Sequence, residues 1–254
     1  MIKVLLSGCN GRMGQTITRL SVNNNELKIV AGFDINDSIK NDYPVFTNIE
    51  DCNIEADVII DFSNPNAFES IIKYAVSRKV PLVLATTGLA PSQRALLNKA
   101  SEQIPVFFAA NMSYGVNLLI DLVKRASKAL EGSFDIEIIE KHHNQKLDAP
   151  SGTALEIANA INSVLDQKQE YIYDRHSRRE KRSKNEIGIH AVRGGTIVGE
   201  HTVIFAGNDE IIEIKHTAMS REIFASGALR AAKFLYDKKP GLYNMTDLIE
   251  SNTI

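Results

Sequence analysis

Taken as apolar and polar positions alone, the chain changes its grammar near Tyr114. Before that point, short continuous apolar runs alternate with helical patterns. Lys3–Ser7, Leu27–Phe33, Ala56–Phe62, Pro81–Ala85 and Pro105–Ala109 predict strands, while Gly14–Val22, Ala67–Ser77 and Pro91–Glu102 predict intervening helices. Strands and helices at this spacing imply βαβ units and a parallel sheet. Apolar runs without alternation suit strands covered on both faces. Beyond Tyr114, Gly115–Leu130 predicts a long amphipathic helix, with apolar residues at 116, 119, 120, 123 and 130. Phe134–Glu140 alternates as a half-buried strand does, and Ala154–Leu165 is helical. A polar stretch of about two dozen residues follows. Ile187–Val192, Thr196–Ala206 and Ile211–Lys215 predict further strands, and Ser220–Tyr236 a helix. The fold class is therefore α/β: an N-terminal domain on a parallel sheet, residues 1–113 plus 222–254, and a smaller C-terminal α+β domain on a mixed sheet, residues 114–221.

Charge and composition narrow the function. Twenty-nine basic residues face 31 acidic ones, for a net charge of -2, so no global field draws nucleic acid or anionic lipid. Apolar runs such as Val58–Ile60 and Leu82–Ala85 fall far short of the ~18 residues that span a bilayer. Met1-Ile2-Lys3 leads straight into a strand pattern, with no signal-peptide layout. Cys9 and Cys52 read as reduced thiols of a cytoplasmic protein. No cysteine or histidine pairs stand at zinc-site spacing, so no metal is expected. Arg175–Lys184 carries six Lys/Arg against Glu180. With no aromatics interleaved it reads as a solvated loop rather than a nucleic-acid patch or an anion-binding site.

Two constellations carry chemistry. The first, Ser7-Gly8-Cys9-Asn10-Gly11-Arg12-Met13-Gly14, sits between the first strand and the first helix. Glycines at 8, 11 and 14 permit a tight turn and close backbone approach to a pyrophosphate, and the helix N-terminus adds N–H donors. The spacing G-x-x-G-x-x-G is less specific than G-x-G-x-x-G. Its context strengthens it, because Asp34 ends the second strand, where an acid can accept hydrogen bonds from a ribose. This makes the first domain a Rossmann-like dinucleotide-binding unit. Ala85-Thr86-Thr87-Gly88 and Ala109-Ala110-Asn111-Met112 follow predicted parallel strands, and so can face the nicotinamide end.

The second constellation is Glu140-Lys141-His142-His143-Asn144-Gln145-Lys146-Leu147-Asp148-Ala149-Pro150-Ser151-Gly152-Thr153. Histidine exchanges protons near neutral pH. Lys146 can hold a carboxylate or act as an acid. Ser151-Gly152-Thr153 at a helix start forms an anion site. The cluster describes a pocket for an anionic substrate with a proton-transfer group beside it.

Six segments in order complete the pattern: Gly-x-x-Gly-Arg-Met-Gly (8–14), Asp-Phe-Ser-Asn-Pro (61–65), Thr-Thr-Gly (86–88), Ala-Ala-Asn-Met-Ser (109–113), Glu-x-His-His-x-x-Lys-x-Asp-Ala-Pro-Ser-Gly-Thr-Ala (140–154) and Arg-Gly-Gly-x-Ile-Val-Gly-Glu-His (193–201). The chain resembles the 4-hydroxy-tetrahydrodipicolinate reductase (dihydrodipicolinate reductase) family of lysine and diaminopimelate biosynthesis over nearly its whole length. That resemblance implies an oxidoreductase using NADH and/or NADPH on a small cyclic dicarboxylate. It implies that Gly8, Cys9, Asn10, Gly11, Arg12 and Met13 wrap the pyrophosphate, and that Asp34 holds the ribose. Ala85, Thr86, Thr87, Ala109, Ala110, Asn111 and Met112 would line the nicotinamide. His142 would be the proton donor, Lys146 a second donor that also fixes a carboxylate, and His143, Ser151, Gly152, Thr153 and Arg221 would complete the substrate pocket. A cytoplasmic homotetramer with no nucleic-acid or membrane partner is expected. Two positions depart from the pattern: Cys9-Asn10 stands where Ala-Gly is common, and Ile35 where some members carry an arginine suited to the 2′-phosphate of NADP. The rival readings are a reductase of this fold acting on another small anionic imine or carbonyl, and a non-catalytic NAD(P)H-responsive binding protein.

Overall fold

The computed structural model describes residues 1–251; positions 252–254, the end of the segment expected to join the first domain, lie outside the described residues. The chain folds as two compact units, Met1–Tyr114 with the segment beginning at Glu222, and Gly115–Arg221.

The first unit opens with β1 (Ile2–Ser7), α1 (Arg12–Ser21), β2 (Leu27–Phe33) and β3 (Val45–Phe46). It continues through β4 (Val58–Asp61), α2 (Phe68–Arg78), β5 (Leu82–Leu84), α3 (Pro91–Ser101) and β6 (Pro105–Phe108). Val4, Leu5 and Leu6 are fully buried, as are Val58, Ile59 and Ile60, which is what unalternating runs require of a sheet with helices on both faces. The second unit holds α4 (Tyr114–Leu130, whose first residue belongs to the first unit), β7 (Asp135–His142), α5 (Gly152–Asn162), β8 (Glu170–Ile172), β9 (Glu186–Arg193), β10 (Gly199–Ala206) and β11 (Ile211–Ala218). The chain then returns to the first unit as α6 (Glu222–Leu235), β12 (Gly241–Tyr243) and α7 (Met245–Glu250).

The first sheet is parallel throughout, in the order β12-β6-β5-β4-β1-β2-β3. The chain steps outward from β1 to β2 and β3, then returns to the other side of β1 with β4. That reversal is a topological switch point, where open α/β sheets bind ligands beyond the strand C-termini. Register aligns those ends: Ser7 pairs with Phe33 and Asp61, and Asp61 with Leu84. The loops starting at Gly8, Asp34, Phe62, Ala85 and Ala109 therefore leave from one edge.

The second sheet is mixed, in the order β11-β10-β7-β9-β8, with β7 antiparallel to β10 and parallel to β9. Alternation in β7 buries Ile136, Ile138 and Glu140, with Glu137, Ile139 and Lys141 half-buried on the other face. Helix α5 buries Ala154, Ile157, Ala158 and Ile161, the i, i+3, i+4, i+7 stripe of an amphipathic helix, in the cluster that includes Ile136 and Ile138. Each buried isoleucine contributes about 1.5–3 kcal/mol relative to exposure.

The basic segment 175–184 departs from the solvated loop expected of it. Arg175 donates to Glu137 (2.9 Å) and Glu186 (2.8 Å), and Arg182 to Glu137 (3.0 Å) and Asp135 (2.9 Å). The Arg182 side chain is only 18% exposed. Carboxylates on β7 and β9 draw two arginines of the loop inward, and the charge run is partly a structural clamp.

Candidate active site

In the first unit, β1 ends at Ser7 and the chain turns at Gly8, whose φ of +74° lies in the left-handed region. A Cβ there would lie 2.7 Å from the Phe62 carbonyl oxygen, and one on Gly14 would overlap the Gly8 and Cys9 carbonyl oxygens. Glycine at both positions is what lets the turn close. Helix α1 starts after Gly11 with no side-chain cap and no acidic residue in its first turn. Its N-terminus thus retains the electropositive character that receives phosphate. Asp34, just past β2, accepts hydrogen bonds from the backbone N–H of Asn10 (2.9 Å) and of Asn36 (3.0 Å), tying its loop to the glycine turn. Gly8, Asn10, Gly11, Asp34, Ile35, Phe62 and Ser63 help line a cleft of about 370 Å³. Close backbone, an uncapped helix start and a carboxylate on one rim fit a dinucleotide.

The other expected cofactor residues fall into two groups. Arg12, Thr87 and Ala110 are exposed, and Gly11 lines the cleft. Cys9 instead turns its thiol into the core, where a Cβ on Gly32 would lie 2.6 Å from Sγ; burial, reinforced by Asp34, pushes the thiol up to about 12. Only the backbone of Cys9 can serve a ligand. Met112 is likewise core, and Met13 packs partly against the same cluster. Ala85 is buried, and Ala109 and Asn111 are half-buried; the Asn111 side chain accepts from Ser113 N–H at 3.0 Å. Thr86 is buried and donates to Asp61 at 2.5 Å. Asp61, fully buried, also accepts from Ser63 N–H at 3.2 Å. Burial raises its carboxyl above the usual range against the hydrogen bonds it receives. The sequence pattern gave Asp61 no role; in the fold it ties the end of β4 to the end of β5.

In the second unit, Glu140 and His142 lie two apart on β7 and so share a face. His142 Nδ1 is 2.6 Å from Glu140 Oε2. Arg193, at the end of β9, donates to both Glu140 oxygens at 2.7 Å, and Ser151 N–H donates to Oε1 at 3.0 Å. Glu140 has no exposed surface. Burial alone would push its carboxyl up, but hydrogen bonds from Arg193, His142 and Ser151 outweigh it and hold the group below the usual carboxylate range. A Cβ on Gly199 would lie 3.1 Å from His142 Nε2, so glycine there leaves room for the ring's far nitrogen.

His201 on β10 stands edge-on to His142, with ring centroids 5.3 Å apart. Burial, then repulsion from a charged His142, pushes the His201 ring down to about 4. Its Nε2 is 3.0 Å from the Ser151 hydroxyl. Lys146, in the turn after β7, pairs with Asp148 at 2.8 Å and holds that carboxyl below its ordinary value.

Ser151 corrects one expectation. Its hydroxyl caps α5 through Ala154 N–H (3.2 Å) and meets His201, while its N–H serves Glu140. At 2% exposure it is the buried anchor of the helix start rather than an open donor to substrate. Gly152 is exposed, and His143 and Thr153 are half-buried. Arg221 is exposed at the end of the second unit and outside the hydrogen-bonded cluster. Arg193 and His201, which open and close the 193–201 segment, had no role in the sequence reading. Among the described residues no group of three or more His, Cys, Asp or Glu could hold a metal ion, and no helix is long and apolar enough to cross a membrane.

A glycine turn at the switch point of a parallel sheet is how many α/β oxidoreductases receive a dinucleotide, and this chain has the make-up of that class. The family profile described as dihydrodipicolinate reductase, N-terminus, matches residues 2–112, and its C-terminus counterpart matches 115–249. A 4-hydroxy-tetrahydrodipicolinate reductase of Caldanaerobacter subterraneus subsp. tengcongensis is 56% identical over 98% of this chain and 99% of its own. Another from Clostridium tetani is 53% identical over 99% and 98%. A dipicolinate-bound dihydrodipicolinate reductase from Paenisporosarcina sp. TG-14 superposes with a TM-score of 0.82 at 28% identity, covering 96% of this chain and 97% of that one. The chain belongs to the dihydrodipicolinate reductase family.

Proposed function

We propose that this protein reduces 4-hydroxy-tetrahydrodipicolinate to tetrahydrodipicolinate, consuming NADH or NADPH and one proton and releasing water. The observation that carries the reading is the geometry of His142. One ring nitrogen is anchored on a buried carboxylate, and the other is given room by Gly199. Family membership supplies the substrate class, and the dipicolinate bound to the Paenisporosarcina protein is a planar relative of that substrate.

The nicotinamide, when bound, supplies a hydride to a ring carbon. The glycine turn and the α1 N-terminus would hold its pyrophosphate, Asp34 its ribose, and the loops at 85–87 and 109–112 its ring, with Thr86 acting through Asp61 as a tether. His142, doubly protonated with its Nδ1–H on Glu140, releases the Nε2 proton to the enamine carbon next to the reduced position: the N–H bond breaks, a C–H bond forms, and Nε2 keeps the electron pair of the neutral ring. Lys146 holds one carboxylate and stands as a second donor, while Gly152 and Thr153 at the start of α5 receive the other, with His143 beside them. Arg221 would add a peripheral anion contact. The domain roles follow: the first unit binds the dinucleotide, and the second binds the substrate and assembles a homotetramer. Assembly is supported by the exposed Ile211 and Ile212 of edge strand β11. A biosynthetic role of this kind is cytoplasmic.

Steady-state oxidation of NADH or NADPH, with the cyclic substrate generated in situ, tests the reading. Oxidation that depends on that substrate is expected. A protein that oxidises neither cofactor under these conditions is not this reductase.

A further inference from the structure

The Glu140 carboxylate is fully committed. Each oxygen accepts two hydrogen bonds: Oε1 from Arg193 Nη2 and Ser151 N–H, and Oε2 from Arg193 Nη1 and His142 Nδ1. Three of these four partners are obligate donors, since neither a guanidinium nor a backbone N–H accepts. The fourth, His142 Nδ1, is the only partner with a choice. A protonated Glu140 would have to give its proton to that nitrogen, while lying against a bidentate guanidinium that demands an anion. The network is satisfied when Glu140 is ionised and His142 Nδ1 carries a proton.

We propose that Glu140, clamped by Arg193, is a positioning residue that fixes the His142 proton on Nδ1 and makes Nε2 the nitrogen that exchanges with substrate. The proposal rests on the reading of His142 as proton donor and adds the groups that select its working atom. The surroundings agree from every side. Glu140 holds the ring from within β7, Arg193 reaches across from β9, and His201 on β10 packs edge-on. Lys146 in the following turn is already paired with Asp148, and Gly199 opposes Nε2. Arg193 also donates to the Asp148 carbonyl at 2.6 Å, so the residue that clamps the anion also secures the turn carrying Lys146. The logic is that of a carboxylate behind a catalytic histidine, where losing the anion leaves the ring in place with the wrong tautomer.

The test is nitrogen-15 NMR of histidine-labelled protein, with His142 assigned by its loss in His142→Gln. In the wild-type protein the neutral His142 ring is expected to show a protonated Nδ1 and a bare Nε2. In Glu140→Gln the Nε2-protonated tautomer should appear. There kcat should fall by roughly 10²-fold or more, with KM for the cyclic substrate and Kd for NADH held within about threefold. Glu140→Asp should recover part of kcat. The wild-type spectrum needs no variant to fold: a neutral ring carrying its proton on Nε2 overturns the positioning proposal while leaving His142 as donor. A Glu140→Gln protein with wild-type tautomer and wild-type kcat overturns it as well. A His142→Gln enzyme with undiminished kcat overturns instead the proton-donor reading, and with it the catalytic part of the proposal.

Discussion

The Lys146 ammonium lies 2.8 Å from the Asp148 carboxylate, in the turn between β7 and α5. The cation assigned to a substrate carboxylate is therefore already paired with one, and an incoming dicarboxylate has to displace it. Asp148 keeps 59% of its side chain exposed and Lys146 22%. With the Asp148 carboxylate mostly in solvent the pair is worth only about 1 kcal/mol, so the displacement is cheap. Asp148→Asn should tighten planar pyridine-2,6-dicarboxylate by up to about fivefold in calorimetric titration of the NADH complex, the factor that ~1 kcal/mol gives. Lys146→Ala should weaken it by about 2 kcal/mol, the lower end of the range for removing one member of a charge pair. If Asp148→Asn weakens the inhibitor instead, Asp148 orients Lys146 rather than competing for it.

His142→Gln should lower kcat by about 10²–10⁴-fold, the usual contribution of a general acid. Its affinity for NADH should stay near wild type, because the residues proposed to hold the pyrophosphate and ribose belong to the other unit. Fluorescence titration with NADH beside steady-state kinetics separates the two quantities. Retention of wild-type kcat across pH 6–8 would assign the proton to Lys146 or water.

How much of this was legible in the sequence depends on how local each cause is. The buried strands of the first sheet were legible because continuous apolar runs without alternation announce themselves. β3, β8 and β12 were not, since their two or three residues lie in no continuous apolar run, and pairing at a sheet edge forms them. α7, a single short helix capped by Asn244, was missed for a similar reason. His142 and Lys146 stood out by residue type and spacing. Glu140 was in view, and a period of two already placed it with Ile136 and Ile138 on the buried face; a lone acid in that stripe was the available signal. Its partner Arg193 is 53 residues away, and only the β7–β9 pairing brings them together. Cys9 shows the converse. Its place in the glycine turn suggested the pyrophosphate, but packing against Gly32 takes the thiol inward.

Asp34 sets the expected coenzyme preference. Its carboxylate sits on the cleft rim with Ile35, not a cation, as its neighbour. Ribose hydroxyls can donate to it through charge-assisted bonds of about 1.5–3 kcal/mol. A 2′-phosphate at about 4 Å would be repelled by roughly 4 kcal/mol per unit charge at an effective dielectric of about 20. Lysines such as Lys40 can offset part of that. NADH should thus be used at least as well as NADPH, measured as kcat/KM under one salt condition. A preference for NADPH above about tenfold would contradict the role given to Asp34.

His201 predicts how stability responds to acid. The residue is 4% exposed, and burial pushes its ring down to about 4 in the folded protein, from an ordinary value of 6.5. Between those values the unfolded chain binds a proton that the folded protein does not, so the unfolding free energy falls as pH drops through this window and is unaffected above it. From pH 7 to pH 5 the loss from this residue should be about 2 kcal/mol, following 1.36 kcal/mol per pKa unit. His201→Gln offers a side chain that can still bond the Ser151 hydroxyl without titrating. Urea midpoints and slopes at the two pH values, for wild type and variant, provide the measurement. The wild type should lose more stability on acidification than the variant, with the difference confined to the window below 6.5. Equal losses in the two proteins would mean that His201 accepts its proton in the folded state as readily as in the unfolded chain. In that case burial beside His142 does not keep the ring neutral.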